Sequence, residues 1–121
     1  MDKQLLAISP IDGRYYDKTM ELASFFSEYA LIKYRIVVEI KYLIFLYNLG
    51  LKELSGLTES DIKNINSIHK NFDIEEAEVV KEFENITNHD VKAVEYYIKF
   101  IMKIYTIFIR PCYMNFLRYI T

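Results

Sequence analysis

Two short stretches of this chain bring together side chains able to hold an anion. In Ser9-Pro10-Ile11-Asp12-Gly13-Arg14-Tyr15, a glycine that lets backbone approach a ligand closely precedes Arg14, a planar fork of donors matched to carboxylate or phosphate. Tyr15 adds a hydroxyl beside it. In Asn88-His89-Asp90 an amide, an imidazole and a carboxylate stand directly before the amphipathic run Val91-Lys92-Ala93-Val94-Glu95-Tyr96-Tyr97. The first N–H groups of a helix have no partner within it, so substrate oxygens can dock there. A neighbouring Asp90 carboxylate can orient His89 and favour its protonated, donating form. The plainer readings are an exposed turn arginine with a packed tyrosine for the first stretch, and a helix cap at Asp90 for the second. His69, between Ile68 and Lys70 with no second ligand at metal spacing, carries no functional assignment.

The elements that must position these residues are helical. From Thr19 to Leu49 no proline or glycine interrupts, and Glu21, Glu28, Arg35 and Glu39 recur on one stripe that predicts a thin wet face. The rest of this helix is apolar, including Phe25, Phe26, Leu31, Ile36, Val37, Ile40, Leu43 and Ile44, and Gly50 reads as its left-handed terminator. Thr58 with Asp61 predicts a capping box ahead of Ile62, Ile65 and Ile68. Asp73 with Glu76 opens a third helix, carrying Ile74, Ala77, Val80 and Phe83 toward Thr87. Asn88 or His89 caps a fourth, with Val91, Val94, Ile98 and Ile101 inward and Glu95 paired to Lys99. The fold class is all-α: one long hydrophobic helix plus about three shorter ones.

A chain of 121 residues supports one small core. Net charge −2, from 15 basic and 17 acidic residues, leaves no electrostatic footprint for nucleic acid or an anionic membrane. Cys112 is the only cysteine, which excludes an intrachain disulfide; its plain reading is a small buried hydrophobe. No signal peptide is visible, and the address expected is cytoplasmic. The uncharged run Tyr42 to Leu51 falls far short of the roughly 20 residues that cross a bilayer. With 52% hydrophobic residues, the surplus calls for cover by protein, and a homo-oligomer is expected. No metal cluster, phosphate loop or Ser-His-Asp order is present, and no cofactor is implied.

Read jointly, the Ser9–Tyr15 and Asn88–Tyr97 stretches, with Phe26-Ser27-Glu28-Tyr29 and Lys33-Tyr34-Arg35 between them, resemble the adenylosuccinate lyase family of the fumarase/aspartase superfamily. The resemblance runs from about Leu5 to Lys99. It implies a helical amino-terminal lyase domain in which Arg14 and Tyr15 grip the nucleotide and Asn88, His89 and Asp90 line the substrate pocket. It further implies adenylosuccinate as substrate, a tetramer with a twenty-helix core, and active sites shared by three subunits. The family's proton-transfer residues lie in Ser-Ser-x-x-Pro-x-Lys-x-Asn and Thr-His-x-Gln-Pro segments. Neither is here, Pro10 and Pro111 being the only prolines, so binding without catalysis is expected. Residues 1–99 form the expected lyase domain and 100–121 a divergent hydrophobic tail, attributed to a truncated or frame-shifted gene. The alternatives are another superfamily lyase, such as argininosuccinate lyase, and a non-catalytic helical interaction module.

Overall fold

The computed structural model describes residues 3–107. Expectations for Cys112, Pro111 and the rest of the tail beyond Ile107 lie outside the described residues. The chain divides into two compact units, Met1–Leu31 and Ile32–Thr121. Every regular element among the described residues is helical.

The first unit starts with a run of turns and continues through α1 (Tyr16–Thr19), a 3-10 turn (Met20–Leu22) and α2 (Ala23–Phe26). The predicted long helix is interrupted here. Ser27 takes an extended backbone, with ψ 166°, and its hydroxyl bonds back to the Ala23 carbonyl. The same Oγ then accepts from Ala30 N at 3.1 Å, so Ser27 ends α2 and caps α3 (Glu28–Asn48). A serine satisfies both helix ends because its hydroxyl competes with the backbone for hydrogen bonds.

The 21 residues of α3 run on into the second unit and stop as predicted at Gly50, whose φ is +81°. Gly50 N donates to Tyr47 O and Leu51 N to Leu46 O, the paired bonds of a Schellman ending. A 3-10 turn (Lys52–Leu54) leads to α4 (Glu59–Lys70), which opens on the predicted capping box: Asp61 N donates to Thr58 Oγ1 at 3.1 Å and Thr58 N to Asp61 Oδ2 at 3.0 Å. Asp73 caps α5 (Ile74–Thr87) by accepting from Glu76 N at 3.0 Å. The last described helix, α6 (Asp90–Ile104), folds back against α5 as an αα-hairpin, the most extensive contact between elements.

The core of this unit draws Ile36, Ile40 and Leu43 from α3, Ile65 and Ile68 from α4, Ala77 and Val80 from α5, and Val94, Tyr97 and Ile98 from α6. Tyr97 OH, buried against Phe72, finds its partner in Glu76 Oε2 at 2.6 Å. Burial and this bond raise the phenol far above its usual range. The hydroxyl thus stays neutral and ties α5 to α6.

A second sequence expectation is corrected. Glu39, assigned to the wet stripe of α3, is 4% exposed, and its Oε2 is buried without a hydrogen-bond partner. Successive residues turn by about 100°, so Glu39 sits about 40° round the axis from Arg35, enough to move it from the edge of the stripe into the core. Desolvation first, and then the charge of Glu95 on α6, push its carboxyl up to about 7. Glu95 is itself buried but ion-paired with Lys99 at 2.9 Å, as its spacing predicts.

Candidate functional site

In the first unit the anion-binding candidates are presented by a turn held by its own polar groups. Asp12 accepts from Ser9 N at 2.8 Å and Ile8 N at 3.3 Å. The Ser9 bond leads in holding its carboxyl below the usual range, outweighing a small desolvation. Gly13 N and Tyr15 N close the turn onto the carbonyls of Ser9 and Pro10. A Cβ at Gly13 would lie 2.8 Å from the Gln4 carbonyl oxygen, so no other residue fits this close approach without a shift.

The turn leaves Arg14 and Tyr15 exposed and coupled. Arg14 Nη2 donates to Tyr15 OH at 2.8 Å, and its guanidinium carbon lies 4.6 Å from the ring centroid. Lys18 Nζ stands 6.0 Å from the same ring. Two cations around one aromatic ring make a patch suited to an oxyanion, with the tyrosine limiting where the guanidinium fork points.

In the second unit, Asn88, His89 and Asp90 form the corner of the α5–α6 hairpin, and each has a distinct local job. Asn88 is left-handed, with φ 52° and ψ 34°, and its N–H closes α5 onto Glu84 O at 2.7 Å. Asparagine tolerates that conformation better than most residues. His89 is the N-cap of α6: its Nδ1 accepts from Lys92 N at 3.2 Å. Thr87 Oγ1 donates to His89 O and accepts from His89 N, stitching the corner on both sides. Asp90 begins the helix, accepting from Val91 N at 2.9 Å.

Two expectations change with this geometry. Asp90 is not the cap, and the N–H groups of Val91 and Lys92 are already taken by the corner's own side chains. What the corner offers a ligand is therefore side chains: the Asn88 amide and the Nε2 edge of His89. Nor does Asp90 hold a proton on Nδ1. Its Oδ1 is 3.9 Å from that nitrogen, which is spent as an acceptor, and its Oδ2 pairs with Arg35 Nη1 at 3.0 Å. Desolvation works against the Asp90 charge, but Arg35 and the Val91 N–H outweigh it and hold the carboxyl below its usual range.

Arg35 is the residue that sequence reasoning missed as part of this corner. Its spacing marked it only as one of four residues on a wet stripe, and nothing local announced a partner on α6. A further feature absent from the sequence reading is an open cavity of about 460 Å³ lined by Phe83, Ile86, Thr87, Lys92 and Tyr96. Thr87 and Lys92 flank the corner directly, so an apolar wall adjoins its polar groups. Among the described residues, no three His, Cys, Asp or Glu side chains gather as a metal site, and no helix is long and apolar enough to cross a membrane.

No family model matches the chain. Curated proteins do. The chain is 52% identical over 97 residues to an adenylosuccinate lyase of Dictyostelium discoideum and 52% identical over 96 residues to one of Legionella pneumophila (strain Corby). It is 44% identical over 96 residues to one of Escherichia coli (strain K12). Each match covers 78% of this chain, and identity at that level and extent shows common ancestry with these proteins. The family is that of the adenylosuccinate lyases, of which the chain carries the amino-terminal portion. It spans 21% of the length of these relatives.

Proposed function

We propose that this chain is the substrate-gripping amino-terminal part of an enzyme that eliminates fumarate from adenylosuccinate, and from the succinylated carboxamide ribotide, in purine nucleotide biosynthesis. The observation that carries the reading is 52% identity over 97 residues, 78% of this chain, to a relative so named. The geometry supports the roles. Arg14 and Tyr15 present a stacked, hydrogen-bonded cation for a phosphate or carboxylate. Asn88 and His89 present an amide and a ring edge beside an apolar cavity able to receive a flat ring. The working assembly is a cytoplasmic homotetramer in which other segments provide the acid and the base, since this chain contains neither catalytic motif.

The test joins residues 1–99 of this chain to the remaining four-fifths of the Escherichia coli relative. The chimera should release fumarate from adenylosuccinate, whereas the 121-residue chain should release none, because losing each proton-transfer group typically forfeits at least ~100-fold. Enzyme-like turnover by the short chain, with host lyase excluded, or a folded but inactive chimera, overturns the reading.

A second reading is a non-catalytic interaction module that joins or poisons a full-length lyase. It is favoured by the exposed Leu5, Leu6, Ile8, Phe25 and Phe26 of the first unit. Inhibition of an intact relative by added chain, with no activity from the chimera, would select it.

A further inference from the structure

We propose that Arg35 is the positioning residue of the Asn88–Asp90 corner, and that by holding the Asp90 carboxylate it decides which nitrogen of His89 carries the proton. The inference rests on reading His89 as a substrate-facing donor, and it assigns Arg35 a part in that site although Arg35 belongs to a different helix.

The argument is one of competition for a single carboxylate. Asp90 has two side-chain neighbours that could engage it, the Arg35 guanidinium and the His89 ring. Its Oδ2 is 3.0 Å from Arg35 Nη1, while its Oδ1 is 3.9 Å from His89 Nδ1 and already accepts from Val91 N. With the carboxylate engaged on α3, Nδ1 keeps its lone pair and accepts from Lys92 N at 3.2 Å. The neutral ring then carries its hydrogen on Nε2, the nitrogen that no side chain of the corner engages, and can donate it to a ligand anion. Without Arg35, the freed carboxylate would favour a proton on Nδ1. That would strip the cap from α6 and, in the neutral ring, turn Nε2 from a donor into an acceptor. Arg35 thereby sets the hydrogen-bonding sense of the site without touching the ligand.

The tautomer can be read directly on this chain by long-range ¹H–¹⁵N correlation of labelled histidine, or by magic-angle spinning if the protein assembles. His69, whose Nε2 bonds Asn66 Oδ1 at 2.9 Å, serves as internal control. In the wild type His89 should be the Nε2-H tautomer. Arg35→Met should raise the ratio of the Nδ1-H to the Nε2-H tautomer in the neutral ring about tenfold. Arg35→Lys should restore most of the wild-type state, and Arg35→Met with Asp90→Asn should lose the effect. If Arg35→Met does not fold, Arg35→Gln takes its place with the same direction of change expected, and Asp90→Asn alone should leave the His89 tautomer as it is. A change of tautomer in Asp90→Asn alone, or none in folded Arg35→Met, overturns the proposal. Neither measurement involves substrate, so a failure here is distinct from an inactive chimera.

Discussion

Arg14 and His89 face solvent through groups that the fold does not use up, whereas His69 turns its ring to Asn66 on its own helix. Desolvation first, then Lys41, Lys70 and Lys33, favour the neutral form of His69. In the chimeric lyase, Arg14→Ala and His89→Asn should each lower kcat/KM by about tenfold to a hundredfold, the equivalent of losing one charge-assisted hydrogen bond of roughly 1.5 to 3 kcal/mol. His69→Ala should change it little. His89→Asn is the more informative variant because asparagine can still cap α6, whereas alanine would also cost about 1 kcal/mol of helix stability. Equal losses for all three would assign the motifs to folding. Glu39 supplies a separate prediction, about pH. Its carboxyl is raised to about 7 in the folded chain from 4.5, so the folded state holds a proton that the unfolded state releases. That stabilisation is full below about 4.5 and is lost as pH rises through 7, by up to about 3 kcal/mol. Urea midpoints should therefore fall between pH 5 and 8 for the wild type and stay flatter for Glu39→Gln. Parallel curves would show that Glu39 is ionised throughout.

At the scale of the element, helix ends follow short-range rules. The Thr58–Asp61 box, the Asp73 cap and the Gly50 ending are bonds between residues three to five apart, and each was legible from residue type and spacing. Gly50 adopts φ +81° with nothing near its missing Cβ, so Gly50→Ala should cost about 1 kcal/mol through backbone strain alone. Gly56, also in open space but without a positive φ, should accept alanine at no cost. Thermal melts of the two variants make the comparison. A similar loss in both would show that the left-handed φ of Gly50 is not the cause. The break at Ser27 carries no proline or glycine to mark it, because serine stops a helix by a different route, its hydroxyl competing for backbone hydrogen bonds.

For the whole molecule, the apolar surplus of the composition is only partly absorbed. In the second unit the core takes one side of α3, while Tyr34, Val38 and Phe45 remain exposed on it and Leu49 just past its end. In the first unit Phe25 and Phe26 are 60% and 82% exposed. Such surface is more than a free monomer usually leaves open. The chain expressed alone should therefore self-associate, and light scattering at tens of micromolar should show species larger than a monomer. A clean monomer would mean that these faces close on the chain itself.

The sequence by itself determined the helical class, the caps at Thr58 and Asp73 and the Gly50 terminator, because each depends on residue type within one turn. Only the tertiary structure decided that Arg35 meets Asp90, that Tyr97 meets Glu76 across 21 residues, and that Glu39 is buried beside the field of Glu95. These depend on how each helix is rotated about its axis once packed. Periodicity locates a stripe to within about one residue's turn, and for Arg35 and Glu39 a separation of about 40° was the difference between a partly exposed ion pair and a carboxyl buried in the core.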